Sequence, residues 1–153
     1  MSEDVFWDRI KAINAGMLAA GESPRFMPMS HNADREGRTL WFVAARGTDP
    51  VAAAEGGQVA AAYIVADASR GLYAHVNGTL ALSDNRAKLD EIWNVVASSW
   101  FEGGKDDPDL RLLAFNITGA EVWTTGSGVN FLFQVAKAQV TGAEPDMGEH
   151  FTL

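Results

Sequence analysis

The sequence predicts a mainly β protein of the α+β class, built as a small closed or half-closed antiparallel barrel with helices on its outside. Three observations favour this fold class. The chain has many short apolar segments between turn residues, it has three longer helical segments, and the two kinds of segment do not alternate as they do in a doubly wound sheet. The length of 153 residues favours one domain with a sizeable core.

The first half of the chain is predicted to contain one long helix, four strands and one short helix. The first helix is Ser2–Ala15, because Phe6, Ile10 and Ile13 fall on one helical face. Proline within the second strand, at Pro28, indicates an edge strand or a bulge. The predicted strands are Ala15–Ala20, Arg25–Asn32, Thr39–Ala45 and Gln58–Ala66, with a polar turn at Asp34–Gly37 and, after loop Arg46–Pro50, a short helix Val51–Glu55 capped by Asp49.

The second half is predicted to contain a long bulged strand, the best helix of the chain and a further pair of strands. Asn77-Gly78 could form a hairpin turn, but the apolar pattern continues on both sides and favours a bulge. The predicted segments are strand Leu72–Leu82, helix Ser83–Trp100 with Ser83 or Asp84 as its cap, strands Asp109–Ile117 and Ala120–Thr125, loop Gly126–Asn130, helix Phe131–Thr141 and a C-terminal tail.

Composition excludes several classes of function. The net charge of −8 and the scattered basic residues argue against a nucleic-acid partner and against binding to an anionic membrane. The absence of cysteine excludes disulfides, iron–sulfur clusters and thiol nucleophiles. An acidic N-terminus and the lack of a long apolar run predict a soluble cytoplasmic protein without a membrane span.

The stretch Trp100–Leu113 is rich in aromatic, glycine and acidic residues. Its Gly103-Gly104-Lys105 segment resembles part of a phosphate-binding loop. A Walker A loop would need glycine at position 99 and serine or threonine at position 106, where this chain has Ser99 and Asp106. A helix C-cap with a left-handed glycine is the preferred interpretation, although its backbone amides could also face an anion. The acidic turn after it lacks the glycine and glutamate of a calcium loop.

Histidines and tryptophans are the other candidates for a site. His31, His75 and His150 have no metal-binding spacing; the first two are predicted to be structural residues on strands, and the third to have no specific role. No metal site is therefore expected. Trp41, Trp100 and Trp123 each stand beside a loop, where packing is the default expectation and stacking on a planar ligand the alternative.

Six stretches of the chain carry a resemblance to a known family when they are taken together and in order: Arg25–Met29, Leu40–Ala44 followed by Thr48, Val76–Thr79, Asp84–Lys88, Trp100–Leu110 and Ala120–Trp123. Together they resemble the general stress protein 26 group of the FMN-binding split-barrel superfamily, which includes pyridoxamine 5′-phosphate oxidase. The resemblance covers about residues 4 to 142 and is most specific at Trp100–Leu110.

The resemblance implies a six-stranded antiparallel split β-barrel that forms a homodimer and binds FMN, or alternatively FAD, at the subunit interface. It implies one FMN-binding domain over residues 1–142, followed by a tail over residues 143–153. The implied cofactor-binding residues are Arg25 and Met27 beside the flavin ring, Phe42, Val43 and Ala44 continuing that wall, Arg46 and Thr48 at the phosphate, Trp100 and Lys105 nearby, and Trp123 from the partner subunit.

Two positions depart from the pattern Thr-x-x-x-Ser-x-Lys that relatives usually carry. Ala44 stands where a hydroxyl is usual, and Pro50 stands where a lysine usually pairs with the phosphate. Loss of one charged hydrogen bond would weaken FMN binding about ten-fold or more unless Arg46 or Lys105 compensates.

Two functions therefore remain open at the level of sequence. One is a flavin-dependent oxidoreductase of unknown substrate, in which the cofactor carries the electrons and no catalytic residue can be named. The other is a non-enzymatic protein that stores or senses flavin or another planar ligand through a weakened phosphate site. Pyridoxamine 5′-phosphate oxidase activity itself is not expected, because the arginine-rich C-terminal segment of that enzyme is absent.

Overall fold

A computed structural model describes residues 2–23, 25–126, 136, 139, 140 and 148–153 of the chain. These residues form one antiparallel sheet with four α-helices and one 3₁₀ turn around it. The strands are β1 (Gly16–Ala20), β2 (Met27–Met29), β3 (Asn32–Asp34), β4 (Thr39–Ala45), β5 (Val59–Asp67), β6 (Leu72–Ser83), β7 (Leu110–Thr124) and β8 (Glu149–Thr152). The helices are α1 (Ser2–Ala12), α2 (Asp49–Ala54), α3 (Arg86–Ile92) and α4 (Val95–Trp100), and the 3₁₀ turn spans Gly104–Asp106.

The order of the strands shows that the sheet must curl. That order is β2-β1-β5-β6-β7-β4-β3, with β8 paired to β7, so β2 and β3 lie at opposite ends. A flat sheet in this order would separate its ends by about 29 Å. Yet β2 stops at Met29 and β3 starts at Asn32, which limits their Cα separation to about 11 Å. The sheet therefore closes on itself as a half-barrel, and the mainly β split-barrel class is confirmed.

Within the described residues the half-barrel has eight strands rather than the six that were expected. The two additional strands are the short strands β3 and β8, which are only three and four residues long. β8 lies within the segment predicted as a tail and pairs antiparallel with the end of β7. Its backbone hydrogen bonds come from a contact between distant parts of the chain, which a local sequence pattern does not record.

The hydrophobic core fills the inside of the curl, because strand residues alternate between the two faces of the sheet. Helix α1 covers one opening with Phe6, Trp7 and Ile10, all of which are buried. The largest fully buried side chains are Tyr63, Phe6, Phe42, Phe115, Ile10, Leu18, Leu40, Leu72, Leu80, Leu113, Val51 and Val65. A core of this size suits a single domain of this length.

A buried hydrogen-bond cluster holds the short connection between β2 and β3, the two end strands of the sheet. His31 Nε2 lies 2.8 Å from the carbonyl oxygen of Ile10, and His31 Nδ1 lies 2.5 Å from the hydroxyl of Tyr63. The same hydroxyl lies 3.0 Å from the carbonyl oxygen of Met29. A carbonyl only accepts, so Nε2 of a neutral His31 donates to Ile10, and the single hydroxyl hydrogen of Tyr63 can go either to Nδ1 of His31 or to the carbonyl oxygen of Met29. The prediction of a hydrogen-bonded structural histidine is confirmed.

Several predicted boundaries are corrected by the structure. The long helix Ser83–Trp100 is two helices, because Trp93 is extended and Asn94 starts a new helix by accepting a hydrogen bond from the Ala97 amide at 2.9 Å. The first of the two is capped by Asn85, not by Ser83 or Asp84. Helix α2 begins at Asp49, two residues earlier than expected, with Thr48 as its N-cap instead of Asp49.

The predicted strand pair Asp109–Ile117 and Ala120–Thr125 is also wrong, because both halves belong to the single strand β7. They pair with β6 along its whole length, and the register shifts at Asn77/Gly78. That shift confirms the predicted bulge and the absence of a hairpin there. A Cβ added at Gly78 would lie 2.2 Å from the carbonyl oxygen of Asn116, so the close approach of the two strands requires glycine.

The segment Arg25–Asn32 divides into β2 and the start of β3, and Pro28 lies on an edge strand as predicted. Of the predicted loop Gly126–Asn130 only the first residue is described, and of the predicted helix Phe131–Thr141 only residues 136, 139 and 140, each helical. Across the part of the chain that is described, none of the helices has the length and apolar character needed to cross a membrane.

Candidate functional site

Two strand edges of the half-barrel have no ladder partner among the described residues. They are strand β2 and the stretch Phe42–Ala45 of β4, and together they are called the seam. β3 pairs with β4 only as far as Trp41, so the stretch Phe42–Ala45 has a strand neighbour on one side alone. β2 pairs only with β1 and forms the other edge. Backbone donors and acceptors at such edges can hydrogen-bond a ligand, which makes the seam the candidate site.

The predicted wall residues lie at this seam, but their side chains point in different directions. Met27 on β2 and Val43 on β4 are half-buried. Phe42 and Ala44 point into the core, where Phe42 packs edge-on against Tyr63 with ring centroids 5.2 Å apart. Phe42 and Ala44 can therefore meet a ligand only through their backbone. Ala44 is buried beside apolar neighbours, an environment in which a hydroxyl would need a partner.

Loop Arg46–Pro50 follows β4 directly and is held by hydrogen bonds within the protein. The Thr48 hydroxyl donates to the carbonyl oxygen of Ala45 at 2.7 Å. The Arg46 amide donates to the carbonyl oxygen of Asp109 at 2.7 Å, and the Arg46 guanidinium lies 3.0 Å from the Asp109 carboxylate. Pro50 is buried in the first turn of α2 and has no amide hydrogen to offer.

Arg25 reaches the same loop from the segment before β2. Its Nη1 lies 3.5 Å from Oδ2 of Asp49, and both side chains are largely exposed. The ion pair therefore links the approach to one open strand edge with the first turn of α2, which follows the other edge. Arg25 thus lies near the loop that contains Arg46 and Thr48, and the roles of these three residues in ligand binding stay a prediction.

The stretch Trp100–Asp109 meets this loop because β4 and β7 pair in the register Ala45↔Leu110. Gly104 has a φ of +65° and confirms the expected left-handed glycine. The amides of Asp109 and Gly103 donate to the Asp107 carboxylate at 2.9 and 3.0 Å and hold its pKa below the ordinary value. The turn is thereby fixed in a shape that presents Asp109 to Arg46.

Trp100 and Lys105 flank that turn. Trp100 is 79% exposed, so packing in the described protein does not account for its ring. Lys105 Nζ lies 2.8 Å from the Asp90 carboxylate. Lys105 also borders a cleft of about 210 Å³, lined in addition by Arg86, Arg111 and four leucines. The cleft is smaller than the roughly 300–1,000 Å³ typical of small-molecule sites, so it could hold only part of a flavin-sized ligand.

Trp123 lies far from the loop within one chain. It is near the opposite end of β7 from Leu110, about 40 Å along the strand. Its ring is 40% exposed and stacks on His150 of β8, with centroids 4.9 Å apart and an angle of 11° between the planes. His150 Nε2 also lies 3.2 Å from Glu121, so His150 has packing partners on β7 that the sequence did not predict.

Trp41 is accounted for by packing. Lys88 of α3 places its ammonium 5.7 Å from the centre of the Trp41 ring, and the indole donates to Asp34 at 3.4 Å. Sequence reasoning missed Asp49 and Asp109 as partners of the loop arginines. The sequence predicts Asp49 as a helix cap and Asp109 as the first residue of a strand, and the register between β4 and β7, which brings Asp109 to Arg46, has no local sequence signal.

This chain matches a known protein family over most of its length and shares its fold with solved structures. A family described as pyridoxamine 5′-phosphate oxidase like matches residues 2–146. The chain is similar to a structure from Jannaschia sp. CCS1 that is described with the name general stress protein 26, with 42% identity and a TM-score of 0.89 over 100% of this chain and 99% of the other. No curated protein matches the sequence significantly.

Two further structures are more distant. The general stress FMN/FAD binding protein from Xanthomonas citri is 26% identical, with a TM-score of 0.72 over 81% of this chain and 90% of the other. The FAD binding protein from Mycobacterium smegmatis is 21% identical, with a TM-score of 0.52 over 80% of this chain and 94% of the other, and supports the fold alone.

Proposed function

This chain belongs to the pyridoxamine 5′-phosphate oxidase-like family, and from that membership we propose that it is a flavin-binding protein. The observation that carries the proposal is the seam, where β2 and the stretch Phe42–Ala45 of β4 have open strand edges and each contributes a half-buried apolar side chain. The general stress FMN/FAD binding protein from Xanthomonas citri, which this chain resembles over most of its length, supports the choice of ligand.

The ring end of a flavin fits the residues at the seam. A planar apolar ring needs a flat slot with a few backbone hydrogen-bond groups at its polar edge. Met27 and Val43 offer apolar surface, and the unpaired edge Phe42–Ala45 offers backbone groups. The phosphate end fits less well, because Arg25 and Arg46 are each paired with a carboxylate.

We also propose that the complete site needs two copies of the chain. The cleft beside Lys105 is too small for a whole flavin, and Trp123 is too far along β7 to reach the loop of its own chain. A second copy could place Trp123 against the ligand. The outer face of the sheet supports self-association, because Met17 and Ile64 are direct cross-strand neighbours and each is more than one third exposed.

The proposed activity is oxidoreduction with a substrate that remains to be identified. When bound, the flavin would carry the electrons, while the chain binds and orients it and restricts water at the seam. No described residue at the seam combines a free carboxylate or imidazole with a buried position, so we assign no acid or base. Storage or sensing of flavin without turnover is the second candidate, and the paired arginines at the phosphate end favour it.

The test is the visible absorption spectrum of the purified protein before and after incubation with FMN and gel filtration. Flavin bands that elute with a species of twice the chain mass are expected. Bleaching of those bands by a nicotinamide donor and their return in air would support an oxidoreductase, whereas stable bands would support storage. A colourless protein that retains neither FMN nor FAD would overturn the flavin assignment.

A further inference from the structure

We propose that the polar end of the site is built for an uncharged ligand group, so that the protein binds riboflavin about as tightly as FMN. This inference rests on the proposed flavin function and concerns which flavin the site selects. It depends on four charged residues, of which Arg46 and Asp49 belong to loop Arg46–Pro50 and Arg25 and Asp109 pair with them from outside the loop.

The charges of these four residues cancel. Arg25 lies 3.5 Å from Asp49, and Arg46 lies 3.0 Å from Asp109. A phosphate group carries about −1.5 to −2 at neutral pH and has acceptor oxygens to place. To use either arginine it must displace a carboxylate or lie beside it, and two like charges in contact repel. The chain as a whole, at −8, adds to the repulsion.

The uncharged donors of the loop are also engaged. The Thr48 hydroxyl and the Thr48 amide both donate to the carbonyl oxygen of Ala45, at 2.7 and 3.2 Å. The Arg46 amide donates to Asp109, and Pro50 lacks an amide hydrogen. Helix α2 is only six residues long and already has Asp49 in its first turn. Within loop Arg46–Pro50, little remains that is complementary to a phosphate.

A terminal hydroxyl, as on the sugar-alcohol chain of riboflavin, is complementary to the same residues. A hydroxyl both donates and accepts hydrogen bonds. It can donate to a carboxylate oxygen of Asp109 or Asp49 and accept from the neighbouring guanidinium without breaking either ion pair. The paired arrangement therefore discriminates by charge and not by the shape of the ring.

The experiment is a titration of the flavin-free protein with riboflavin and with FMN, at one ionic strength and pH 7.5, followed by quenching of flavin fluorescence. We expect the two dissociation constants to agree within about three-fold. FMN binding that is tighter by about thirty-fold or more would overturn the inference while leaving the flavin function in place. Failure of both ligands to bind would overturn the proposed function and this inference with it.

The second experiment repeats both titrations with the variant Asp109→Asn. Removing the carboxylate leaves the Arg46 guanidinium available to a phosphate, so FMN should bind about three- to ten-fold tighter while riboflavin changes little. The control Glu36→Gln removes the same charge in the turn before β4, about 23 Å of strand away from the loop. Equal effects of the two variants on the ratio of FMN to riboflavin affinity, or no effect of Asp109→Asn, would contradict the inference.

Discussion

Two regions hold the ends of the curled sheet, and they do so by opposite means. At the buried connection, His31 and Tyr63 use neutral hydrogen bonds at 2.5–3.0 Å to tie β2, β5 and α1 together. At the loop after β4, the exposed ion pair Arg25–Asp49 links the segment before β2 to α2, and the exposed ion pair Arg46–Asp109 links the loop to the residue before β7. Breaking a buried hydrogen bond leaves a group with no water to replace its partner, whereas an exposed ion pair is exchanged for water at little cost.

The difference separates structural from selective roles. Rearranging the buried connection would cost much free energy, because its hydrogen bonds have no water to replace them. The connection therefore fixes the geometry of the seam. The exposed pairs contribute little to stability, but their carboxylates neutralise the two arginines and so influence which ligand is favoured. Substitutions should therefore affect stability at the connection and binding at the loop, and three experiments test that division.

The largest effect is expected at Tyr63. Tyr63→Ala removes a fully buried ring that packs against Phe42 and Phe115, together with the hydroxyl that bonds His31. We expect the free energy of unfolding to fall by about 3–5 kcal/mol, measured by urea denaturation at one fixed protein concentration. Tyr73, the only other tyrosine, is half-buried on the outer face of β6 and provides the control. Similar losses for Tyr73→Ala and Tyr63→Ala would remove the contrast.

A smaller effect is expected from the protonation of His31. Burial lowers the pKa of His31, so the folded state binds fewer protons than the unfolded state below pH 6.5. This contribution to stability is complete above about pH 6.5 and is lost as the pH falls toward the folded pKa, with a slope of at most about 1.4 kcal/mol per pH unit. The groups that face the ring are the hydroxyl of Tyr63 and the backbone at Ile10 and Ile13.

The measurement is urea unfolding of the wild type, His31→Asn and His75→Asn between pH 7.5 and 5.5. Only His31→Asn should lose the pH dependence of this window, because His75 is exposed on the outside of β6. Carboxylates whose pKa is lowered, such as Asp34 and Asp67, act at more acidic pH and do not interfere. An unchanged slope in His31→Asn would show that the connection is not linked to protons.

The smallest effect on stability is expected at Asp109. Its ion pair with Arg46 is more than half exposed on both sides, so Asp109→Asn should change the free energy of unfolding by less than about 1 kcal/mol. The same variant is expected to change FMN affinity. It should therefore affect binding with little effect on stability, whereas Tyr63→Ala should affect stability. A large loss of stability in Asp109→Asn would mean that the loop is structural as well as selective.

Local patterns predicted much of the fold. Strand Thr39–Ala45 was predicted with its observed ends, because an apolar run between a turn and a loop is a local feature. The bulge at Asn77-Gly78 and the left-handed glycine at Gly104 were also anticipated from their neighbours. The errors occur where a distant contact decides the outcome, as in the merging of two predicted strands into β7 along β6.

The candidate site divides in the same way. The sequence identified Arg25, Arg46 and Thr48 as candidates, because residue type and order are written in the chain. It did not show that Asp49 and Asp109 neutralise the two arginines, since that depends on the register Ala45↔Leu110 and on the approach of the segment before β2. Nor did it show that the side chains of Phe42 and Ala44 face the core.

By itself, then, the sequence determined the class of fold, the family and the list of residues near the seam, because each depends on local periodicity, turn chemistry and motif order. Only the tertiary structure decided how the sheet closes at His31, which strand edges stay open and which charges cancel at the loop. The physical reason is that hydrogen bonds and ion pairs between distant residues depend on strand register, and register is set by packing of the whole core.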